Sequence, residues 1–324
     1  MEVVSPGLCD LQVNGFAGVD FNRPGLSVDA LETAAAALRR TGVTRFLPTL
    51  ITAPLEAFAA CARVLARWTS SSQLGIHAEG PYLSPTEARG AHPPAHLRPA
   101  SVEDFRRRQD AAEGRIVLVT LAPEVPGAIE LIAHLVSSGV RVAIGHSAAS
   151  PEQIREGVRA GATLSTHLGN GCAGGLPRHP NLIWEQLAAD ELSACFIADG
   201  HHLPAATLKA MVRAKTPGRS ILVTDATAAA AAPPGRYSLG ELEIERSASG
   251  RVTLPREGKL AGSSLTLDEA VGRAARETEL PIDEVLAMAS SRPAAAIGAA
   301  PAGRVVGEWD ARARSFAVAR VEGA

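Results

Sequence analysis

Val140-Arg141-Val142-Ala143-Ile144-Gly145-His146 is a short β-branched apolar run that ends on a histidine. Seven other stretches share this form: Leu11 to Asn14, Arg45 to Thr49, Leu74 to Glu79, Ile116 to Ala122, Thr163 to His167, Ala194 to Asp199 and Ser220 to Asp225. Strands that are apolar throughout, without strict alternation, suit a parallel sheet covered on both faces. Helical patterns lie between them. Ser27 can cap Val28 to Arg40, with Gly42 just beyond, and Ser150-Pro151 opens a helix that Gly161 closes. Residues 126–138 and 204–214 also carry helical apolar spacing. Eight strands alternating with helices predict an α/β fold, a TIM-like (β/α)8 barrel. No G-x-G-x-x-G follows the first strand, which weakens the open doubly wound alternative.

Outward from this core, residues 1–235 are assigned to the barrel. Residues 236–259 read as a β-hairpin of a small satellite sheet, with Leu239, Leu242, Ile244, Val252 and Leu254 as its apolar positions. Residues 260–300 supply barrel-packing helices, and 301–324 a C-terminal strand segment of the same small sheet. Apolar residues make up 46% of the 324 and charged residues 20%, enough to bury a large core. A net charge of −2 with dispersed basic residues gives no reason to expect a nucleic-acid or membrane partner. The N-terminus is not read as a signal peptide, and no apolar run reaches membrane-spanning length. Cys9, Cys61, Cys172 and Cys195 form no C-x-x-C pair, so reduced thiols in a cytoplasmic protein are expected.

In a barrel of this kind, chemistry gathers where strands end at their C-terminal side. The polar residues there are Asp10, Gln12, Asn14, Glu79, His146, His167, Asp199 and Asp225. A lone strand-end histidine is more often structural, and His134, on a helix, keeps that reading. Glu79, His146 and His167 together form a two-histidine, one-carboxylate set that holds zinc and leaves a position for water. A divalent cation lowers the pKa of such a water toward neutrality. Asp225, ending the last strand, is placed to take the proton and return it to a leaving amine. Asp199 precedes a glycine and is read as shaping the site.

With these residues in place, the sequence resembles the N-acetylglucosamine-6-phosphate deacetylase family of the amidohydrolase superfamily. The matching motifs are Pro6-Gly7-Leu8-Cys9-Asp10-Leu11-Gln12-Val13-Asn14-Gly15, Gly75-Ile76-His77-Ala78-Glu79-Gly80-Pro81-Tyr82-Leu83 and Gly90-Ala91-His92-Pro93. Gly145-His146-Ser147, Thr166-His167-Leu168 and Ala198-Asp199-Gly200-His201-His202 follow. Leu222-Val223-Thr224-Asp225-Ala226 and Leu260-Ala261-Gly262-Ser263-Ser264-Leu265-Thr266 complete the set, in the family's order along nearly the whole chain. The resemblance implies metal at Glu79, His146 and His167, Asp225 as base, and His92 polarising the acetyl carbonyl. It implies Ala91, Asn170, Gly171, Arg178, Asp199 and His202 in substrate binding, with Leu260, Ala261 and Gly262 along the sugar. It also implies a homodimer in which Arg178 reaches the neighbouring site.

The departures from the family are local. Gln12 and Asn14 stand where many amidohydrolases carry His-x-His for a second metal; neutral amides are poor zinc ligands, so one divalent ion per chain, Zn2+, is expected. The stretches Leu168-Gly169-Asn170-Gly171-Cys172 and Pro177-Arg178-His179-Pro180-Asn181 differ from the family at the phosphate end. The strand-rich ends of the family are short here, so a reduced small β-domain is expected. The resulting expectation is metal-dependent removal of acetyl from N-acetylglucosamine 6-phosphate or a similar amino sugar. The rivals are another single-metal amidohydrolase, acting on an unphosphorylated acetamido sugar or a cyclic amide, and a non-catalytic sugar-binding protein with a vestigial site.

Overall fold

A computed structural model of the chain describes residues 1–323. All eight expected strands form: β1 (Leu8–Val13), β2 (Val43–Ile51), β3 (Ile76–Glu79), β4 (Ile116–Leu121), β5 (Arg141–Ile144), β6 (Leu164–Ser165), β7 (Ser193–Phe196) and β8 (Ser220–Leu222). They pair in chain order as one parallel sheet. β1 and β8 then meet through a parallel bridge between Val13 and Ala226, so the sheet curls into a nearly closed barrel. Every residue of β1 is buried, as a strand packed on both faces requires.

The helices between strands begin where the caps predict. The Ser27 hydroxyl accepts from Ala30 N–H at the start of Val28–Arg40. Ser150 and Gln153 form a reciprocal capping box at the start of Pro151–Arg159, with Pro151 in the first turn. Ala128–Ser137, Ala205–Lys215, Leu267–Thr278 and Ile282–Met288 fill the remaining predicted positions.

The small β-structure differs from expectation. Residues 236–259 and 301–324 were assigned to one satellite sheet; the chain builds two, with Ala324 outside the described residues. Glu2–Pro6 pairs antiparallel with Arg304–Asp310, which pairs with Ser315–Glu322. Gly235–Leu239, Leu242–Arg246 and Val252–Thr253 form the other sheet. The apolar side chains explain the separation. Val305, Trp309 and Phe316 join the main core, whereas Leu239, Ile244, Val252 and Leu254 form a second cluster with Ile51, Ala229 and Ala261. Asp20 fastens this second sheet to the barrel by accepting from Gly240 N–H at 2.8 Å.

Barrel closure depends on buried Asp10. Its carboxylate accepts from Gln12 N–H and Thr224 N–H, each at 3.2 Å, and from the Thr224 hydroxyl at 2.6 Å, tying β1 to the end of β8. Burial pushes its pKa up to about 7, against the pull of those hydrogen bonds. Asp10→Ala should strand these donors and lower stability by about 2–4 kcal/mol, or roughly 3–6 °C in melting temperature. The native state binds the Asp10 proton more tightly than the unfolded chain. This residue therefore makes stability fall as pH rises from about 4 through about 7, and level off above. Thermal scans of wild type and variant across that range should differ in slope; equal slopes would exclude this coupling.

Candidate active site

The strand ends converge as the sequence anticipates. Glu79 Oε1 lies 3.1 Å from His146 Nε2, 3.1 Å from His167 Nε2 and 3.0 Å from the Gln12 amide nitrogen that donates to it. His92 Nε2 stands 3.2 Å from His146 Nε2. Donor atoms of Glu79, His92 and His146 all lie within 4.8 Å of one another. Gln12 Nε2 also donates to Asp225 Oδ1 at 3.0 Å, and Asn14 Nδ2 donates to the same oxygen at 2.7 Å. The two amides at the His-x-His positions therefore hold the carboxylates in place.

Ring partners set the chemistry of each histidine. His146 Nδ1 faces the Ala88 carbonyl at 3.1 Å, so in the neutral ring Nδ1 carries the proton and Nε2 a lone pair. Two electron-rich atoms, His146 Nε2 and Glu79 Oε1, then face each other, an arrangement that a cation between them resolves. This buried His/Glu cluster fits a divalent metal site. His92 differs: Thr52 N–H points at its Nδ1 from 3.4 Å, which leaves the proton on Nε2 and makes the ring a donor into the site. Burial, followed by the neighbouring His146, lowers the His92 pKa to about 3, so the ring is neutral near neutral pH.

The carboxylates separate in the same way. Burial alone would raise the Glu79 pKa, but the neighbouring His146 and His167 side chains outweigh it and hold it well below the usual carboxylate range. Burial and the Glu79 charge push Asp225 up to about 6, against the pull of His167, His202 and Asn14. A carboxylate poised there can take and return a proton near neutral pH. His146, His167 and Asp225 also have positive backbone angles, φ 50°, 27° and 52°. Left-handed backbone costs a non-glycine residue roughly 1–2 kcal/mol, and three such residues at one rim follow the usual clustering of strain at functional sites.

These residues line a cavity of about 440 Å3. Of the residues singled out from the sequence, Glu79, Ala91, His92, His146, His167, Asn170, Gly171, His202, Asp225, Leu260 and Gly262 line it. Three candidates do not line it. Asp199 stands behind the wall, accepting from His201 N–H and His202 N–H at 2.8 Å and meeting His202 Nδ1 at 2.7 Å. Ala261 packs into the second apolar cluster, and Arg178 is exposed on its loop. The sequence reading missed Ile51, Glu87, Leu239, Arg251 and Lys259 in the lining, and the Ala88 carbonyl and Thr52 behind the histidines. The Gly258-Lys259 step before Leu260 was the available signal for Lys259.

A family model described as the amidohydrolase family matches residues 3–311. The chain belongs to the amidohydrolase family. Among curated relatives, this amidohydrolase is 36% identical over 303 residues to N-acetylgalactosamine-6-phosphate deacetylase of Escherichia coli O157:H7, covering 92% of this chain and 78% of the relative. It is 34% identical over 298 residues to N-acetylglucosamine-6-phosphate deacetylase of Vibrio furnissii, covering 90% and 73%. Among solved structures, a mutant N-acetyl-D-glucosamine-6-phosphate deacetylase from Mycobacterium smegmatis, in complex with N-acetyl-D-glucosamine-6-phosphate, superposes with a TM-score of 0.91 at 32% identity, covering 98% of this chain and 86% of that one. These matches place the amidohydrolase in the branch of N-acetylhexosamine-6-phosphate deacetylases.

The metal cluster generates a direct expectation. Purified protein should carry about one divalent ion per chain, because one buried His/Glu cluster stands out among the described residues. His146→Ala and His167→Ala should lose it while keeping the wild-type circular dichroism spectrum. Elemental analysis returning two tightly held ions would overturn the single-metal arrangement.

Proposed function

We propose that this amidohydrolase removes the acetyl group from an N-acetylhexosamine 6-phosphate, releasing the amine and acetate. The observation that carries the reading is the opposition of Asp225 to the Glu79–histidine cluster within one cavity. The relatives divide between glucosamine and galactosamine substrates, so the proposal covers both epimers. The complete set of Glu79, three histidines and Asp225 argues against a vestigial sugar-binding protein.

Glu79, His146 and His167 would hold the ion, and their nitrogen and oxygen donors suit Zn2+. When bound, it would supply Lewis acidity to the amide carbonyl and lower the pKa of water at the site. Asp225 takes the proton of the attacking water and delivers it to the departing amine nitrogen, so the base of the first step is the acid of the second. His92 donates Nε2–H to the carbonyl oxygen as negative charge develops there. Gln12 and Asn14 keep Asp225 oriented, and Asp199 fixes the His202 ring. Ala91, Asn170, Gly171, His202, Leu260 and Gly262 would contact the sugar phosphate.

Arg178 reaches outward rather than into its own cavity, which suits a homodimer in which it serves the neighbouring site. No helix among the described residues is long and apolar enough to cross a membrane. All four cysteines are unpaired and three are buried, in keeping with a cytoplasmic setting.

Release of free amine from N-acetylglucosamine 6-phosphate and N-acetylgalactosamine 6-phosphate, with and without added metal, tests the activity; no turnover of either would remove it. Asp225→Asn should retain metal while turnover falls about a hundredfold or more. Near-normal turnover in that variant would transfer the role to another group. If Arg178 acts across a dimer, mixing Arg178→Ala with Asp225→Asn chains should recover activity that neither has alone, since each hybrid dimer contains an intact site. Failure to recover it, in chains shown to exchange, would confine Arg178 to its own subunit.

A further inference from the structure

His77 has no part in the chemistry above, although it stands in the same strand as Glu79. It lies in β3 two residues before Glu79, so strand alternation turns both side chains toward one face, and both are buried. The spacing His77-x-Glu79 has the form of a ligand pair, but both ring nitrogens are engaged elsewhere. Nδ1 stands 3.1 Å from the Leu11 carbonyl of β1. Nε2 stands 2.8 Å from the Thr120 hydroxyl of β4, which is itself 2.6 Å from the Thr166 hydroxyl just beyond β6.

The protons in this chain have one consistent direction. A carbonyl only accepts, so Nδ1 carries the ring proton. Thr49 Oγ1, 3.3 Å from the same nitrogen, receives Val13 N–H and can turn its own proton to the Leu47 carbonyl, so it accepts as well. A buried imidazole with no acid bonded to it is neutral, which leaves a lone pair on Nε2 for the Thr120 hydroxyl. That hydroxyl has a single proton, so the short contact beyond it is Thr166 donating to Thr120. The order is Thr166 to Thr120 to His77 to Leu11, and each member reaches a residue of the site. Leu11 precedes Gln12, the donor shared by Glu79 and Asp225. Thr120 is the cross-strand partner of Glu79, and its carbonyl accepts from Gly80 N–H at 3.0 Å. Thr166 precedes His167, and its N–H donates at 2.9 Å to the Ile144 carbonyl, two residues before His146. The fit is close: a Cβ on Gly145 would lie 2.7 Å from Thr166 Cβ and 2.8 Å from Thr120 Cγ2.

We propose that His77 is a positioning residue that ties β1, β3, β4 and β6 together through Leu11, Thr120 and Thr166, and so fixes the spacing of Glu79, His146 and His167. This rests on the proposed reading of those three as metal ligands and names the groups of the same chain that hold them in register. The chemistry fits: a fully paired buried chain is rigid, breaking one link strands a donor or an acceptor out of water, and ligand geometry tolerates little displacement.

The test measures Zn2+ affinity by chelator competition, kcat and KM on N-acetylglucosamine 6-phosphate, and the melting temperature of the metal-free protein, in wild type, Thr120→Val, Thr120→Ser and Thr166→Val. Thr120→Val keeps the shape and removes the central hydroxyl. It should weaken Zn2+ binding and lower kcat by about tenfold each, with KM nearly unchanged, the scale seen when groups behind metal ligands are removed. Thr120→Ser should recover most of both. Thr166→Val, which leaves the Thr120–His77–Leu11 links intact, should do less than Thr120→Val. In metal-free wild type, nitrogen NMR should show His77 protonated on Nδ1, its signal identified by its absence from His77→Gln. Protonation on Nε2 would reverse the chain and overturn the proposal. So would a Thr120→Val protein that melts lower but binds Zn2+ and turns over like wild type well below its melting temperature, since the chain would then be structural only. A wild type that binds Zn2+ but deacetylates neither sugar would remove the proposed activity and leave the Zn2+ comparison to decide the role of His77. A wild type that binds no Zn2+ would overturn the metal reading and this one together.

Discussion

Two buried carboxylates, Glu79 and Asp225, share a single amide donor, Gln12 Nε2, at 3.0 Å from each. Placing two negative groups together out of water is unfavourable unless their surroundings supply compensating donors and charge. The rest of the site answers that constraint. Asn14 adds a second donor to Asp225, His146 and His167 converge on Glu79, and a cation at the cluster would complete the balance. Asymmetry in the support then separates the two roles. Glu79, with two histidines, is held ionised, while Asp225, with amides and a nearby negative charge, is pushed toward neutrality, where a carboxyl can exchange a proton.

That arrangement needs the barrel to close accurately, because its members come from β1, β3 and the ends of β5, β6 and β8. Gln12 lies in the first strand and Asp225 follows the last, so the pair can meet only if those strands do. Asp10 holds this seam from within, two residues before Gln12, against Thr224, one residue before Asp225. Closure and catalysis are therefore linked through neighbouring positions on the same two strands.

Much of this was legible in the sequence, for a reason that particular residues make plain. Parallel strands buried on both faces leave an unbroken apolar run, so a polar terminus such as Glu79, His146 or Asp225 stands out. The capping signals at Ser27 and Ser150 were equally local and both formed. His92 was different: it lies on a loop, and only its resemblance to a family motif singled it out. The Ala88 carbonyl that orients His146 carries no side-chain signature at all. The course of the 236–259 hairpin was also hidden. Alternation shows that Leu239, Ile244 and Val252 share a buried face, but not whether that face packs on the C-terminal strands or over Ile51 and Ala261.

The hairpin's independence has a functional consequence. Its apolar side chains form a cluster apart from the barrel core, joined at Ile51 and by the Asp20–Gly240 hydrogen bond. Glu79, His146, His167 and Asp225 stand on or beside barrel strands, where a shift in one element disturbs its neighbours and metal geometry tolerates little displacement. Leu239, Arg251 and Lys259 line the same cavity from outside the barrel strands. The cavity is thus walled partly by barrel strand ends and partly by a sheet with its own apolar cluster.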